Sequence, residues 1–338
     1  MISFLFIGMS VLNLYLQAVT TREKEFVITG SAQGTTYTVK YSSLAEQIAK
    51  SDIDSVLNVI DSSMSLYKTQ SLINQFNNSK EGHSIDRHIF KVVRKSMAIN
   101  KDTEGLFDIT VAPLVEIWGF GSRPSPGIPD SSSIADLLNC VGTRKLSLNR
   151  KILAKAQPCI KIDLNGIAQG YSVDILYKFL RAKKIKNFMI ELGGEVRIRG
   201  RKPTGKGYAI LIEGFPSTLS DRSFSKIATF TEGAMTSSGT YQKTRESDQG
   251  TISHLIDPRD GYPLKTDLLS VSVYAKDAIT ADGYDNALMA MGVSDAVKFV
   301  AKRKFLEAYF VYQKPDGSIA DTMSSGFKRL LVKNKKYE

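Results

Sequence analysis

The chain has 338 residues, of which 42% are hydrophobic and 23% are charged. Such values are ordinary for a globular protein and allow one large core or two smaller ones. The net charge of +11 comes from scattered basic residues, and no RNP, helix-turn-helix or zinc-ligand pattern accompanies it. We therefore interpret the charge as a solvated surface, compatible with a nearby membrane, and expect no binding to nucleic acid.

The N-terminal segment is apolar. Residues 2–19 contain no charged side chain and have the length of a secretory h-region or a short membrane anchor. No Lys or Arg precedes this run, no clean small-x-small cleavage site follows it, and it lacks a cysteine for lipidation. We expect residues 1–24 to form a signal peptide or an N-terminal membrane anchor, and residues 25–338 to form one domain of an exported protein. The alternative is a buried helix or strand of the folded body.

The first part of this domain shows clear periodicities. Residues 26–41 predict two strands joined at 30–34, and apolar residues at helical spacing predict helices over 53–60 and 89–97. Gly34 and the hydroxyls beside it either line a site or belong to a plain hairpin.

A candidate pocket wall follows in residues 105–121. Asp108 lies between two apolar side chains, and burying a carboxylate costs several kcal/mol unless it is paired, so Asp108 is either a cap or a ligand contact. Trp118 and Phe120 either line a pocket for a flat ring or fill the core. Residues 123–133 are rich in Pro, Gly and Ser and predict a loop that is either a lid or a linker.

The chain has two cysteines, Cys140 and Cys159, which are too few for a disulfide framework and are not spaced as metal ligands. They flank a probable strand pair. They form either one disulfide bond in an oxidising compartment or two buried thiols, and the sequence leaves both alternatives open.

Residues 163–174, DLNGIAQGYSVD, predict the centre of a ligand site. Asp163 closes an apolar strand-like run, a turn with Asn165 and Gly166 follows, and a helix is expected to begin near Gln169. Gly166 and Gly170 are expected to let a ligand approach the backbone closely. The unpaired N–H groups and the dipole at a helix start favour anions, whereas Asp163 suits a hydroxyl, a ring N–H or a metal. We expect a ligand that carries both a phosphate and a polar ring. The alternative is an ordinary strand–loop–helix corner.

The next part of the chain predicts strands. They fall at 187–200, interrupted by a Gly-Gly bend, at 208–213 and at 227–230. In the following run, AMTSSGTYQK, three hydroxyl side chains before Gly239 either bind a ligand or form a turn.

Among the three histidines, His254 alone lies in a polar turn of this kind, HLIDPRDGYP, together with Asp257, Arg259 and Asp260. Histidine side chains titrate near neutral pH and act as bases in catalysis. His254 is therefore a candidate base held by a rigid turn. The alternative is a structural histidine.

Asp282, Asp285 and Asn286 lie at i, i+3 and i+4 near the start of a predicted helix over 280–292, so their side chains share one face. Three hard oxygen ligands suit Mg²⁺ or Ca²⁺. Alternatively, the acidic residues only stabilise the helix dipole. A last helix near 297–300 and the strand EAYFVY complete the predicted elements.

Taken together, these segments resemble the ApbE family, the FAD:protein FMN transferases. Seven runs occur in the order of the family, across roughly the whole predicted domain. The matching runs are GTTY (34–37), FDITVAPLVEIWGFG (107–121), IDLNGIAQGYSVD (162–174), IELGGEVRIRG (190–200), TSSGTY (236–241), HLIDPRDGYP (254–263) and TADGYDNALMAMG (280–292). The resemblance implies an α+β, T-fold-like single body in which helices pack outside a mixed, largely antiparallel sheet.

The resemblance also implies an activity. Such enzymes bind FAD with Mg²⁺, cleave its pyrophosphate and join FMN through a phosphoester to a threonine of an acceptor protein, releasing AMP. The acceptors are flavoprotein subunits of membrane redox complexes, which suits an enzyme at the periplasmic face of the inner membrane, either anchored or soluble after cleavage. The alternatives are an FAD pyrophosphatase that gives FMN and AMP, and a non-enzymatic FAD-binding protein of the cell envelope.

Roles for individual residues follow from the matching motifs. His254 is expected to help deprotonate the acceptor threonine, and Mg²⁺ is expected to bind Asp282, Asp285, Asn286 and the backbone carbonyl of Gly166. The residues expected to contact FAD are Gln33, Tyr67, Leu106, Phe107, Asp108, Asp163, Gln169 and Ile256. Three of these positions depart from the family pattern, because Asn286 replaces a commoner Thr, Gln169 a Lys or Glu, and Gln33 a frequent Met.

Overall fold

The computed structural model describes residues 23–121, 127–213, 224–240, 244–247 and 250–332. The strands of these described residues are β1 (Lys24–Ala32), β2 (Thr35–Ser43), β3 (Gly82–Ser84), β4 (Leu146–Leu148), β5 (Ile152–Lys155), β6 (Asn187–Leu192), β7 (Glu195–Arg199), β8 (Tyr208–Ile212), β9 (Lys226–Phe230), β10 (Glu232–Gly239), β11 (Thr244–Ser247), β12 (Gly250–Ser253), β13 (Leu268–Ala275), β14 (Leu306–Gln313) and β15 (Ile319–Met323). The α-helices are α1 (Lys50–Met64), α2 (Leu72–Asn78), α3 (Arg87–Asp102), α4 (Ala112–Ile117), α5 (Ser131–Leu138), α6 (Asn165–Ala182), α7 (Ala278–Ala301) and α8 (Ser325–Lys328).

Eight strands form the central sheet in the order β1-β2-β6-β7-β10-β13-β14-β15. Every pairing within this sheet is antiparallel. The predicted α+β class with a largely antiparallel sheet is therefore confirmed, and no parallel pair occurs among the described strands. The predicted first hairpin is also present, with its tight turn at Gln33 and Gly34, whose φ angles are 54° and 76°.

Both faces of the sheet are covered. The helices α6 and α7 pack on one face, whereas the β8–β9 hairpin and the short α8 cover the other. Alternation along β7 places Val196 and Ile198 in the core under the hairpin. Glu195 and Arg197, at the other positions of this alternation, therefore point to the helix side of the sheet. Arg197 forms a buried ion pair there with Asp174 of α6.

The two helices meet at a glycine. A Cβ on Gly170 of α6 would lie 2.5 Å from the carbonyl oxygen of Ala278 and 2.7 Å from Cβ of Asp282. The backbone N–H of Gly170 also donates to Oδ2 of Asp282 at 2.7 Å. Asp174 adds a second link, because it accepts hydrogen bonds from the first N–H groups of α7 at Ala278 and Ile279. Gly170 therefore serves close helix packing and not, as expected from sequence, the approach of a ligand.

A Gly170→Ala substitution is expected to destabilise the protein by about 1–3 kcal/mol or more, since the added methyl group meets backbone atoms that cannot move aside. The gain in helix propensity, about 1 kcal/mol, does not offset this overlap. Urea denaturation monitored by circular dichroism measures the change. Gly127→Ala is the control, because no described residue lies within 4 Å of its added Cβ. An equal effect of both substitutions would contradict the packing role of Gly170.

The segment 160–164 before α6 is not the predicted strand, because side chains and not a neighbouring strand satisfy its backbone. The amide of Asn77 donates to the carbonyl of Ile162 at 3.0 Å and accepts from its N–H at 2.8 Å. Lys155, buried, donates to the carbonyls of Phe76, Asn77 and Ile160. We call these contacts the Asn77–Lys155 clamp.

The helix α6 also begins earlier than predicted, at Asn165, since the carboxylate of Asp163 accepts from the N–H of that residue at 2.7 Å. Further along the helix, the N–H groups of Ile167 and Ala168 donate to the carbonyl of Leu164. The expectation of unpaired amides for an anion is therefore wrong at these positions.

Three other predictions need correction or completion. The loop predicted over 123–133 ends at Asp130, because Asp130 caps α5 and residues 131–133 belong to that helix. Residues 122–126 lie outside the described residues. The hydroxyl-rich run before Gly239 is strand β10 and not a turn. Cys140 and Cys159 form a disulfide bond on either side of the β4–β5 pair.

Residues 1–22, the greater part of the predicted signal or anchor, lie outside the described residues. Among the helices that are described, none combines the length and apolarity needed to cross a bilayer.

Candidate active site

Every residue that the sequence analysis predicted for the site lines one cavity of about 400 Å³. This volume lies within the range of small-molecule sites, about 300–1,000 Å³. The cavity lies at the end of the α6–α7 pair, beside the β1–β2 turn and the segment that follows β12. The residues brought together are Gln33, Tyr67, Leu106, Phe107, Asp108, Asp163, Gly166, Gln169, His254, Ile256, Asp282, Asp285 and Asn286. Their individual roles remain predictions.

The β1–β2 turn supplies one wall of the cavity. Gln33 is held there by a hydrogen bond of 2.9 Å from its Nε2 to Oγ of Ser172 on α6. Tyr67 is 75% exposed, so its ring is free to cover a bound molecule at the mouth of the cavity. Both side chains are therefore placed to contact a ligand without being part of the core.

The opposite wall is apolar. Phe107, Phe120 and Ile256 are among the side chains that form it, which suits a flat aromatic ring. Phe120 also contacts the ring of His254, with 6.3 Å between centroids. Trp118 is instead buried, and its Nε1 donates to the carbonyl of Gly261 at 2.7 Å. The pocket alternative therefore fits Phe120, whereas Trp118 fills the core.

Asp108 is half-buried and lies at the edge of the cavity. Its carboxylate accepts hydrogen bonds from the backbone and hydroxyl of Thr110, the backbone and hydroxyl of Thr143, and the amide of Asn100, at 2.5–3.1 Å. It caps the 3₁₀ turn at Ile109–Val111. Asp108 therefore acts as a cap, as one of the two sequence-based alternatives predicted. Because five donors of the protein already bond its carboxylate, few of its lone pairs remain for a ligand.

The two carboxylates of α7 are buried at the cavity floor, with 4% and 2% exposure for Asp282 and Asp285. Asp282 accepts from the N–H of Gly170, and Asp285 accepts from the hydroxyl of Thr236 on β10 at 2.7 Å. Burial raises the pKa of Asp282 to about 7. Burial and then the charge of Asp282 raise the pKa of Asp285 as well. Both carboxylates therefore tend to hold a proton at a pH where an exposed aspartate is ionised.

Asn286 completes this cluster. Its Nδ2 lies 3.4 Å from the carbonyl oxygen of Gly166, 3.3 Å from that of Asp282 and 2.9 Å from Oδ1 of Asp285. Oxygen atoms of this kind are the ligands that Mg²⁺ prefers, so the donor set fits the ion. Among the described residues, however, no three His, Cys, Asp or Glu side chains converge as a metal site by themselves. A metal here therefore depends on the backbone carbonyl, the Asn286 amide, water or substrate oxygens.

The raised pKa of Asp282 predicts a stability change with pH. The pKa of the Asp282 carboxyl is about 7 in the folded protein and 3.8 for an ordinary aspartate. The folded protein therefore binds this carboxyl proton more tightly than the unfolded chain does, and the resulting stabilisation is lost as pH rises from 3.8 to about 7. An Asp282→Asn variant is expected to become progressively more stable than the parent chain between these values, by up to about 4 kcal/mol. Melting temperatures in EDTA at several pH values measure the difference.

Asp136→Asn on the exposed side of α5 is the control for this experiment, since it changes the same charge without burial. A parallel pH dependence of Asp282→Asn and the parent chain would contradict a buried, proton-binding Asp282.

His254 lies at the end of β12 and faces the cavity, together with Leu255, Ile256 and Pro258. The predicted rigid turn is present just beyond it, because the N–H of Gly261 donates to the carbonyl of Asp257. Arg259 lies outside the cavity and forms an ion pair of 2.6 Å with Asp257. This guanidinium lowers the pKa of Asp257 even though burial alone raises it. Of the charged residues in the turn, none lines the cavity.

The sequence analysis missed Glu195, a buried carboxylate of β7 that also lines the cavity. Burial, followed by the charges of Asp282 and Asp285, raises the pKa of Glu195 well above its ordinary range. A signal was available in the run EVRIR, where a charged residue alternates with apolar ones directly after a Gly-Gly bend.

The fold and cavity define an α+β protein whose cavity combines apolar side chains with buried carboxylates. The sequence profile of the ApbE family matches residues 33–310, and the chain belongs to this family. It is 33% identical over 330 residues to the FAD:protein FMN transferase of Haemophilus influenzae, covering 94% of both chains. It is 32% identical to that of Vibrio cholerae, covering 90% of this chain and 92% of the relative.

Solved structures agree. The flavin transferase ApbE from Vibrio cholerae superimposes with a TM-score of 0.81 at 31% identity, covering 91% of this chain and all of the other. The apo flavinyl transferase ApbE of Pseudomonas stutzeri gives 0.82 at 30% identity, covering 91% and 97%.

Proposed function

We propose that the protein transfers FMN from FAD to a threonine hydroxyl of an acceptor flavoprotein and releases AMP. The observation that carries this proposal is the single cavity in which His254, an apolar wall and the Asp282–Asp285–Asn286 cluster face each other. The names of the relatives in Haemophilus influenzae and Vibrio cholerae support the same reaction.

The transfer breaks the phosphoanhydride bond of FAD and forms a phosphoester bond to the acceptor threonine. The threonine oxygen attacks the phosphorus of the FMN half of the pyrophosphate. The bond from this phosphorus to the bridging oxygen breaks, and AMP leaves with that oxygen. The hydroxyl proton passes to His254, because an alcohol is a poor nucleophile at neutral pH without a base.

The other residues bind and orient the substrate. Phe107, Phe120 and Ile256 offer the isoalloxazine ring an apolar surface, and Gln33 and Gln169 offer neutral hydrogen-bonding groups. Asp282, Asp285, Asn286 and the carbonyl of Gly166 would hold Mg²⁺. When bound, this ion neutralises negative charge on the pyrophosphate and on the departing AMP.

We further propose an exported enzyme that acts at the periplasmic face of the inner membrane on a flavoprotein subunit of a membrane redox complex. Two observations support export: the uncharged run at residues 2–19 and the Cys140–Cys159 disulfide, since disulfides persist in oxidising compartments. Membrane association through the N-terminus follows if that run is retained.

The test is an incubation of the chain, purified without its first 24 residues, with FAD and Mg²⁺, with and without an acceptor that carries a threonine flavinylation motif. Intact mass of the acceptor and free FMN are measured together. A Mg²⁺-dependent gain of one FMN on the acceptor supports the transferase. Free FMN and AMP with an unmodified acceptor show a pyrophosphatase, and intact bound FAD in both reactions shows a storage protein.

A further inference from the structure

A buried carboxylate oxygen without a hydrogen-bond partner among the described residues faces the cavity. Glu195 is 8% exposed, and its Oε2 accepts no hydrogen bond from any described residue. Leaving a buried carboxylate oxygen unpaired is costly, so proteins usually pair such atoms. The neighbouring Arg197 forms an ion pair with Asp174 through Nη1, although its Nε also has no partner among the described residues. Glu195 differs from Arg197 because no described residue forms an ion pair with it.

Nearby groups of the protein do not satisfy this oxygen. The register of β7 and β10 pairs Val196 with Met235, so Thr236 lies next to Glu195 across the two strands. The hydroxyl of Thr236, however, donates to Asp285 and is not available to Glu195. The cavity, which Glu195 lines, is therefore a possible source of a donor for this oxygen.

A small polar recess surrounds Glu195. Gly193, at φ 63°, lacks a side chain, and a Cβ there would lie 2.9 Å from Cγ2 of Thr35, 3.0 Å from Nε2 of Gln169 and 3.3 Å from Oε2 of Glu195. All four residues line the cavity. The polar ends of Gln169 and Glu195 and the methyl group of Thr35 thus surround a space beside Gly193 that an added side chain would crowd. We call this space the Gly193 recess.

We propose that Glu195 binds the substrate, accepting a hydrogen bond from a neutral N–H or O–H group of FAD in the Gly193 recess. This inference rests on the proposed function, which supplies FAD as the ligand. The flavin ring and the sugar or ribityl chains of FAD all carry such donors.

A neutral donor fits the recess better than an ion. A phosphate oxygen does not donate a hydrogen bond to the carboxylate of Glu195, and the two negative charges repel each other. A cation is disfavoured as well, since Asp282 and Asp285 do not converge with Glu195 into a metal site among the described residues. Thr35 and Gln169 are uncharged and offer both donors and acceptors, which suits a hydroxyl or a ring amide.

The test compares Glu195→Gln with the parent chain. Because the substitution keeps the shape but removes the charge-assisted acceptor, FAD is expected to bind about tenfold more weakly. The free protein is expected to melt at the same or a higher temperature, because an unpaired buried charge is gone. Quenching of flavin fluorescence and thermal melting in EDTA measure the two effects. Glu25→Gln on β1 is the control, since Glu25 is exposed and does not line the cavity.

Competing outcomes overturn the inference in distinct ways. Unchanged FAD affinity in Glu195→Gln, while the parent chain binds FAD, removes the role of Glu195 and leaves the proposed function intact. A lower melting temperature assigns Glu195 to the fold, and the same loss in a Glu195→Ala variant would settle that assignment. Weaker binding of Mg²⁺ alone, without FAD, identifies a metal ligand instead. Failure of the parent chain to bind FAD removes the proposed function itself.

Separate ligands identify the donor. Weaker binding of riboflavin and FMN by Glu195→Gln, with ADP unaffected, places the flavin half in the Gly193 recess. Weaker binding of ADP alone places the adenosine half there. Both results support a substrate-binding Glu195.

Discussion

An Asp282→Ala variant is expected to lose FMN transfer by about 10³-fold or more, because about 4 kcal/mol of charge stabilisation at the pyrophosphate disappears with the metal. Asp282 is buried at the cavity floor and touches Gly170 of the facing helix, so its loss also changes how the two helices present their oxygen atoms. AMP release and acceptor mass, measured over a range of Mg²⁺ concentrations, report the effect.

Asp295→Ala is the matched control for this substitution, since Asp295 lies on the same helix but is exposed and outside the cavity. It is expected to retain the activity of the parent chain. If Asp282→Ala also retains activity, the predicted metal ligands are wrong, and a reaction that depends only on His254 and the FAD-binding wall would have to be considered.

A His254→Ala variant is expected to transfer FMN about 10²–10⁴-fold more slowly, the usual contribution of a general base. FAD affinity is expected to change little, because His254 contacts the cavity through one ring edge beside Phe120, whereas many other groups form the walls. Single-turnover transfer to the acceptor and flavin fluorescence, measured on the same preparations, separate the chemical step from binding.

His83→Ala, on β3 and outside the cavity, controls for the loss of a histidine. Equal losses of FAD affinity and of rate in His254→Ala would contradict the base assignment and favour a binding role. Full activity in this variant would require another proton acceptor for the threonine hydroxyl.

The sequence predicted strands and helices well where glycine turns or regular apolar spacing determine the local backbone conformation. The β1–β2 hairpin and the β6–β7 hairpin follow from glycine-containing turns between alternating strands, and both occur. The helix that carries Asp282, Asp285 and Asn286 follows from spacing, although Gly292 kinks it where two helices were expected. Spacing places side chains on one face, but it does not reveal which chain segment that face meets.

What the sequence did not reveal depends on contacts between distant segments. Glu195 acquires its unpaired state only because Thr236, from another strand, is already bonded to Asp285. Gly170 resembled a ligand-binding glycine until the carbonyl of Ala278 was found against it. The predicted site residues nevertheless line one cavity. They could be predicted because the runs that resemble the ApbE family mark them independently of these contacts.

The Asn77–Lys155 clamp has a consequence for the cooperativity of unfolding. The segment that carries Asp163 belongs to no described strand. It is held by the side-chain amide of Asn77, the ammonium group of Lys155 and a backbone hydrogen bond from Asp163 to Ile109. Opening it would break few hydrogen bonds, but it would also expose Ile160, Ile162 and Leu164, which are fully buried in the main core. We therefore expect the amide protons of this segment to exchange with solvent about as slowly as those of the core, so that this side of the cavity opens only together with the fold.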